Sequence, residues 1–212
     1  MVSETVRGHL FVLVGPGGTG KNTLMNIVKA RQPYLKQLAT ATTRAPRDGE
    51  LHGREHLFVS LQDFQQMIDE NQLLEHQEVT TGKFYGIPRF VVEDNLSTGQ
   101  SLVADIEFKG AKILHDAFPA DVIMIFINVP GHTLEAKLDL LRYRMLNRID
   151  GEPTEEDLAR IEERLKRAKE SELPFANNQG YIDYEIVNET LDDAANQLEQ
   201  IIVNTLSLAQ KS

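Results

Sequence analysis

The chain of 212 residues contains no cysteine. Disulfides, thiolate metal sites and a cysteine nucleophile are therefore excluded, and a cytoplasmic location is expected. No apolar run approaches the ~20 residues that a membrane-crossing helix needs. The opening residues, MVSETVRGHLFVLVGPGG, lack a secretion signal's order of basic flank, apolar stretch and small-residue cleavage site. The short LFVLV reads instead as a buried strand. An excess of positive charge is also missing: 32 acidic against 22 basic residues give a net charge of −10. That balance argues against binding a nucleic-acid polymer over a broad surface. It leaves room for a local basic pocket. Arginines gather at Arg44, Arg47 and Arg54 and again at Arg142, Arg144 and Arg148; such groups are either solvated faces or sites for a small anion. Neither an internal repeat nor a low-complexity tail is found.

What is present is ordinary for a globular domain: 41% apolar and 25% charged residues. HLFVLV (9–14) is a continuous apolar run of the kind buried on both faces of a sheet. A glycine stretch breaks it, and a helix with Leu24, Ile27 and Val28 on one side runs to just before Pro33. Between 35 and 88 the texture turns β-rich, with strand-like KQLATATT, HLFVS, LLEHQEVT and KFYGI and one helix over Leu61–Glu70, its Phe64, Met67 and Ile68 inward. Alternation then resumes. FVVEDNLSTG reads as a helix ending at Gly99, SLVADIE as a strand, KGAKILHDAF as a helix and 121–129 as the most apolar strand. A long polar helical region covers Thr133 to Glu172, interrupted by RIDGEPTEED. YEIVN (184–188) is a last strand, and the terminal helix carries Leu191, Ala195, Leu198, Ile202 and Leu206 at helical spacing. The expectation is an α/β fold, a parallel sheet covered by helices on both faces. A single domain is expected: core 8–34, 89–140 and 166–208, with insertions at 35–88 and about 141–165.

GPGGTGKNT (Gly15–Thr23) lies between that first strand and helix. A glycine loop lets several backbone N–H groups point at one anion, and the helix N-terminus adds partial positive charge. Gly15, Gly17, Gly18, Thr19 and Gly20 would form such a cradle, and Lys21 would bring a full charge to the β- and γ-phosphates of a nucleotide. By composition the pattern arises by chance in roughly one chain in twenty of this length; its strand–loop–helix setting makes an ordinary glycine turn a poorer reading. The motif asks for Ser or Thr after the lysine, to contact Mg²⁺. Here Asn22 offers an amide, and Thr23 keeps a hydroxyl one residue later.

Seven motifs follow in order: GPGGTGK, TTRAPRDGE, G..HLFVS, LLEHQEV…FYG, DIEFKGA, ERLKRAKES and DYEIVNETLDDA. In these the chain resembles guanylate kinase over nearly its whole length. The resemblance implies a P-loop NTPase-type core, an NMP-binding insertion (35–88), a helical lid (141–165), and transfer of the γ-phosphoryl group of ATP to GMP with Mg²⁺. It matches Arg44 and Arg47 to the arginines that grip the GMP phosphate, and Tyr85 to a tyrosine contacting it. Glu75 matches the glutamate that reads guanine, while Thr40 and Glu107 match positions beside the base. Asp105, with Asn22, would organise Mg²⁺ through water. Arg148 and Arg164 match lid arginines that meet phosphate, with Arg144 and Arg160 as substitutes, and Asn188 matches a residue beside the ATP adenine. Catalysis is thereby expected of Lys21, Arg44, Arg148 and Arg164, with small nucleotides as the partners.

Four departures fall in the acceptor region. His56 stands where the family has a tyrosine, Ile87 where it has Ser or Thr, and Glu107 replaces an aspartate. One extra residue falls between Glu75 and Tyr85, assigned to the TTGK turn. Two other readings stay open: a kinase of the same fold acting on another phosphorylated acceptor, such as a different nucleotide or a sugar phosphate, and a non-catalytic guanylate-kinase-like module that binds phosphopeptides.

Overall fold

The computed structural model describes residues 7–80, 82–176 and 180–209. Strand β1 (Leu10–Val14) is buried at every residue. The glycine loop follows it and leads into α1 (Lys21–Arg31). β2 (Lys36–Gln37), β3 (Thr40–Thr42), β4 (His56–Phe58), α2 (Leu61–Asp69), β5 (Leu73–Thr80) and β6 (Lys83–Pro88) come next. α3 (Arg89–Ser97), β7 (Leu102–Asp105), α4 (Phe108–Ala117) and β8 (Val122–Asn128) resume the α/β alternation. α5 (Leu134–Leu146), α6 (Glu155–Arg167), a π-helical turn (Ala168–Glu172), the short α7 (Leu173–Phe175), β9 (Tyr184–Val187) and α8 (Leu191–Ala209) complete the chain.

Two sheets form. The larger has five parallel strands in the order β2-β7-β1-β8-β9. Alternate residues of its strands serve opposite faces. Leu10, Val12 and Val14 join Met124 and Phe126 against Val92 and Leu96 of α3 and Ala111 and Leu114 of α4. Phe11 and Leu13 join Ile125 and Ile127 against Leu24 and Val28 of α1 and Ala195, Leu198 and Ile202 of α8. Fully burying one such side chain contributes about 1.5–3 kcal/mol, so packing on both faces holds the sheet between helices. The expected α/β architecture with a parallel sheet is present. The second sheet runs β4-β3-β6-β5, with β3 and β4 parallel and the other pairs antiparallel.

Several expectations are corrected. KQLATATT is not one strand: Lys36 and Gln37 pair with β7 in the core sheet, and from Thr40 the chain belongs to the second sheet. Leu38 and Ala39 between them are buried, so the polar–apolar alternation gives no sign of the change of sheet. RIDGEPTEED does not wholly interrupt the helices. Thr154 caps α6, its hydroxyl accepting from the Asp157 N–H at 3.2 Å while the Asp157 carboxylate accepts from the Thr154 N–H at 3.1 Å. This capping box makes EED the first helical turn. Leu191 opens α8 but is 44% exposed, so it is not part of the core. The TTGK turn includes Thr81, which lies outside the described residues, as do residues 1–6 of the opening stretch.

Candidate active site

The C-terminal ends of the core strands carry the loops where ligands gather in such sheets. β1 delivers the glycine loop, β7 delivers Asp105 and Glu107, and β9 delivers Asn188. A cavity of about 530 Å³ opens there, lined by Gly15, Gly17, Gly18, Gly20, Lys21, Asn22 and Thr23 together with Asp105, Glu107, Arg148 and Arg164. Gly20 has φ +94°, a backbone that side chains disfavour. Thr19 is fully buried, and its hydroxyl donates to the Pro16 carbonyl at 2.9 Å. Its side chain braces the loop from within.

Lys21 lies along the loop. Its ammonium donates to the Gly15 carbonyl at 2.7 Å and stands 3.7 Å from the Asp105 carboxylate. Burial raises the Asp105 pKa and Glu107 adds to this, against the opposing pull of Lys21. On the far side, Arg148 and Arg164 line the cavity, and Arg167 joins them, 3.3 Å from Glu107. Arg160 is held outside by Asp157 at 3.1 Å. Arg144 serves a neighbouring pocket of about 290 Å³, shared with Gly20, Thr23, Asn188 and Leu191. Its guanidinium donates to the Asn188 carbonyl at 2.8 Å. The Asn188 amide donates to the Thr19 carbonyl at 2.7 Å. The end of β9 is thereby tied to the glycine loop.

A second cavity of about 520 Å³ lies beside the first and shares Asn22 with it. Arg44, Arg47, His56 and Tyr85 line it. Arg44 is held on three sides. Its guanidinium makes two 2.7 Å bonds to the Glu50 carboxylate, its Nε donates to the Tyr85 hydroxyl at 2.9 Å, and it stacks over the Phe58 ring. The bonds from Arg44 and the Arg47 N–H push the Glu50 carboxyl down to about 2. His56 Nδ1 and the Thr40 hydroxyl are 2.8 Å apart across paired strands. Burial and the nearby Arg44 charge lower the His56 pKa; Glu50, the Thr40 backbone and Glu55 oppose the shift.

Glu75 is buried on β5 and faces α4, where a Cβ on Gly110 would lie 3.5 Å from its carboxylate. Burial raises its pKa and Glu107 adds to this, while Lys109 lowers it. Ile87 pairs with Glu75 across β5 and β6 and is 2% exposed, packed into the core rather than turned into the cavity. Charged cavity residues that went unassigned in the sequence include Glu50, Arg167 and Glu172. Glu50 ends the quoted RAPRDGE and Arg167 lies within ERLKRAKES, so motif membership could have flagged both. Glu172 carried no such signal.

Among the described residues, no three His, Asp or Glu side chains converge as a metal cage. The oxygens of Asn22, Thr23 and Asp105 on one cavity suit a hard cation that keeps its waters and arrives with phosphate, the habit of Mg²⁺.

A glycine loop closing the first strand of a parallel sheet, with a lysine and arginines around one cavity, defines a P-loop phosphotransferase. Comparison with known proteins narrows the class. The family model described as guanylate kinase matches residues 7–205. Guanylate kinase from Trichodesmium erythraeum is 37% identical over 195 residues, covering 92% of this chain and 96% of that protein. The Synechocystis enzyme of the same name is 36% identical, covering 93% and 95%. The crystal structure of guanylate kinase from Anaplasma phagocytophilum superposes with a TM-score of 0.64 at 29% identity, covering 94% of this chain and 87% of that one. The chain belongs to the guanylate kinase family and is a nucleoside-monophosphate kinase.

Proposed function

We propose that the protein transfers the γ-phosphoryl group of ATP to GMP, giving ADP and GDP. The observation that carries this reading is the junction of the two cavities at Asn22. A phosphate chain on the glycine loop and a phosphate held by Arg44 and Arg47 would face one another there. An oxygen of the acceptor phosphate attacks the γ-phosphorus, and the bond from phosphorus to the bridging oxygen breaks with its electrons leaving on ADP. Such a reaction needs alignment and charge neutralisation more than acid–base chemistry.

In this assignment the loop N–H groups and Lys21 hold the transferred phosphoryl group, and Arg148 and Arg164 neutralise the charge that spreads over it. Asn188 and Arg144 flank the adenine side. Arg44, set by Glu50 and Tyr85, presents a fixed fork to the acceptor phosphate, with Arg47 and His56 beside it. Glu75 accepts from guanine N1–H and the exocyclic amine, with Thr40 and Glu107 near the base. Mg²⁺, when bound with ATP, would supply charge neutralisation at its phosphates; Asn22, Thr23 and Asp105 would hold its water shell. Residues 35–88 serve as the acceptor-binding insertion and 141–165 as a lid whose arginines exclude water on closing. ATP and GMP are the small-molecule partners, and a cytoplasmic location matches their supply. Among the described residues no helix is long and apolar enough to cross a membrane.

A coupled assay with ATP, Mg²⁺ and a panel of acceptors tests this. GMP should give the highest kcat/KM by a wide margin over AMP, CMP, UMP and sugar phosphates. ADP production no greater than background with GMP would refute the reading. A wide margin for another acceptor would move the assignment to that acceptor, an outcome that His56 and the buried Ile87 make worth testing.

A further inference from the structure

Helix α6 and the start of the turn after it carry two stripes. Ile161, Leu165 and Ala168 are buried with Leu141 and Met145 of α5. Arg160, Arg164 and Arg167 follow one another on the flank, and the last two reach the phosphate-loop cavity. Continued at α-helical spacing, the apolar stripe would next take Glu172 and the arginine stripe Ser171. The π-helical turn over Ala168–Glu172 prevents both. Such a turn holds about one residue more than an α-helical one. Leu173 takes the buried place instead, 8% exposed and packed into the cluster beside the core sheet rather than onto α5. Glu172 moves to the flank and lines the cavity, while Ser171 stays exposed and returns its hydroxyl to the Arg167 carbonyl at 2.9 Å. The turn thus spares the core a carboxylate and places that carboxylate in the cavity.

The other two acids there have direct cationic partners. Asp105 is 3.7 Å from Lys21, and Glu107 is 3.3 Å from Arg167. Among the described residues Glu172 makes no side-chain hydrogen bond or ion pair. Burial raises its pKa and Glu107 adds to this, against the opposing fields of Lys21, Arg167 and Arg164, none of which is tied to it. Four cations and three anions line the cavity (Lys21, Arg148, Arg164 and Arg167 against Asp105, Glu107 and Glu172), so this single charge is a large part of the balance.

Resting on the assignment of this cavity to a nucleoside polyphosphate, we propose that Glu172 is an affinity-setting residue. Its negative charge repels the phosphate chain and holds nucleotide affinity down, so that the diphosphate product leaves. Replacement of a residue with a merely structural role would loosen binding; replacement of Glu172 should tighten it.

The test is calorimetric titration of ADP without divalent metal into the wild type, E172Q and E172D. E172Q should bind ADP about five- to tenfold more tightly, the effect of one charge across a half-exposed cleft. Stopped-flow dissociation should slow by a similar factor. E172D should stay within about twofold of the wild type. An unchanged or weaker Kd for E172Q, with its Tm matching the wild type, would overturn the inference while leaving the nucleotide site intact. Should E172Q fail to fold, E172A carries the same expectation of tighter binding. If the wild type binds no ADP, the nucleotide-site assignment falls and this inference with it.

Discussion

Replacing Gly20 with alanine should destabilise the protein through two separable costs. First, Gly20 has φ +94° and ψ 11°, and an L-residue held in left-handed backbone costs about 1–2 kcal/mol. Second, the new Cβ would lie 2.6 Å from the Asn188 amide nitrogen. Asn188 cannot readily step aside. It is 2% exposed, its backbone N–H donates to the Asn128 carbonyl at 2.9 Å, and its own carbonyl accepts from Arg144 at 2.8 Å. Displacing the side chain breaks its 2.7 Å bond to the Thr19 carbonyl, a loss of about 1 kcal/mol. The sum of about 2–3 kcal/mol corresponds to a fall in Tm of roughly 4–12 °C for a chain of this size. Gly53→Ala isolates the backbone cost, because Gly53 has φ +84° and nothing within 4 Å of an added Cβ. It should cost about 1–2 kcal/mol alone. Adding Asn188→Ala to the Gly20 variant should remove the collision, giving a double-mutant coupling of about 1 kcal/mol. Scanning calorimetry on the wild type, Gly20→Ala, Gly53→Ala, Asn188→Ala and the double variant measures all of this. A Tm for Gly20→Ala within 2 °C of the wild type, or equal to that of Gly53→Ala, would show that the loop is not wedged against Asn188 as described.

Lys21→Ala should lower kcat by at least ~100-fold with little change in fold, since charge placement carries phosphoryl transfer; a near-normal kcat in the coupled assay would remove Lys21 from its assigned role. Glu50 has its pKa depressed to about 2, so its ion pair with Arg44 is complete above the ordinary carboxylate value of about 4.5 and is lost only as pH falls through 2. Carbon-13 NMR should find the Glu50 carboxyl titrating near 2, and a midpoint above 4 would mean that Arg44 is not held this way. His56→Tyr should leave or improve kcat/KM for GMP, and a large loss would give the imidazole an acceptor role of its own.

Periodicity and motif spacing carried much of this protein. The apolar runs at 9–14 and 121–129 became adjacent parallel strands, and the glycine loop follows the first of them. These features are local: burial on two faces demands an unbroken apolar run, and the turn that follows demands glycine. The arginines of TTRAPRDGE and of 141–165 were also legible as residue types, because the proposed phosphate-binding role calls for them.

Which arginine meets which acid was not legible. The grip of Glu50 on Arg44, the reach of Arg167 to Glu107 and the inward turn of Ile87 depend on how two sheets and the helices around them approach one another. The splitting of KQLATATT between sheets belongs here as well, since hydrogen-bonding partners far along the chain decide it. Glu172 is the clearest case. Regular helical spacing assigns it to the core, and only the competition between burying a carboxylate and burying Leu173, settled by a π-helical turn, sends it into the cavity. Sequence alone thus determined the strands, the phosphate loop and the charges available; tertiary packing decided where each charge points, because burial and ion pairing are shared among segments that the chain order keeps apart.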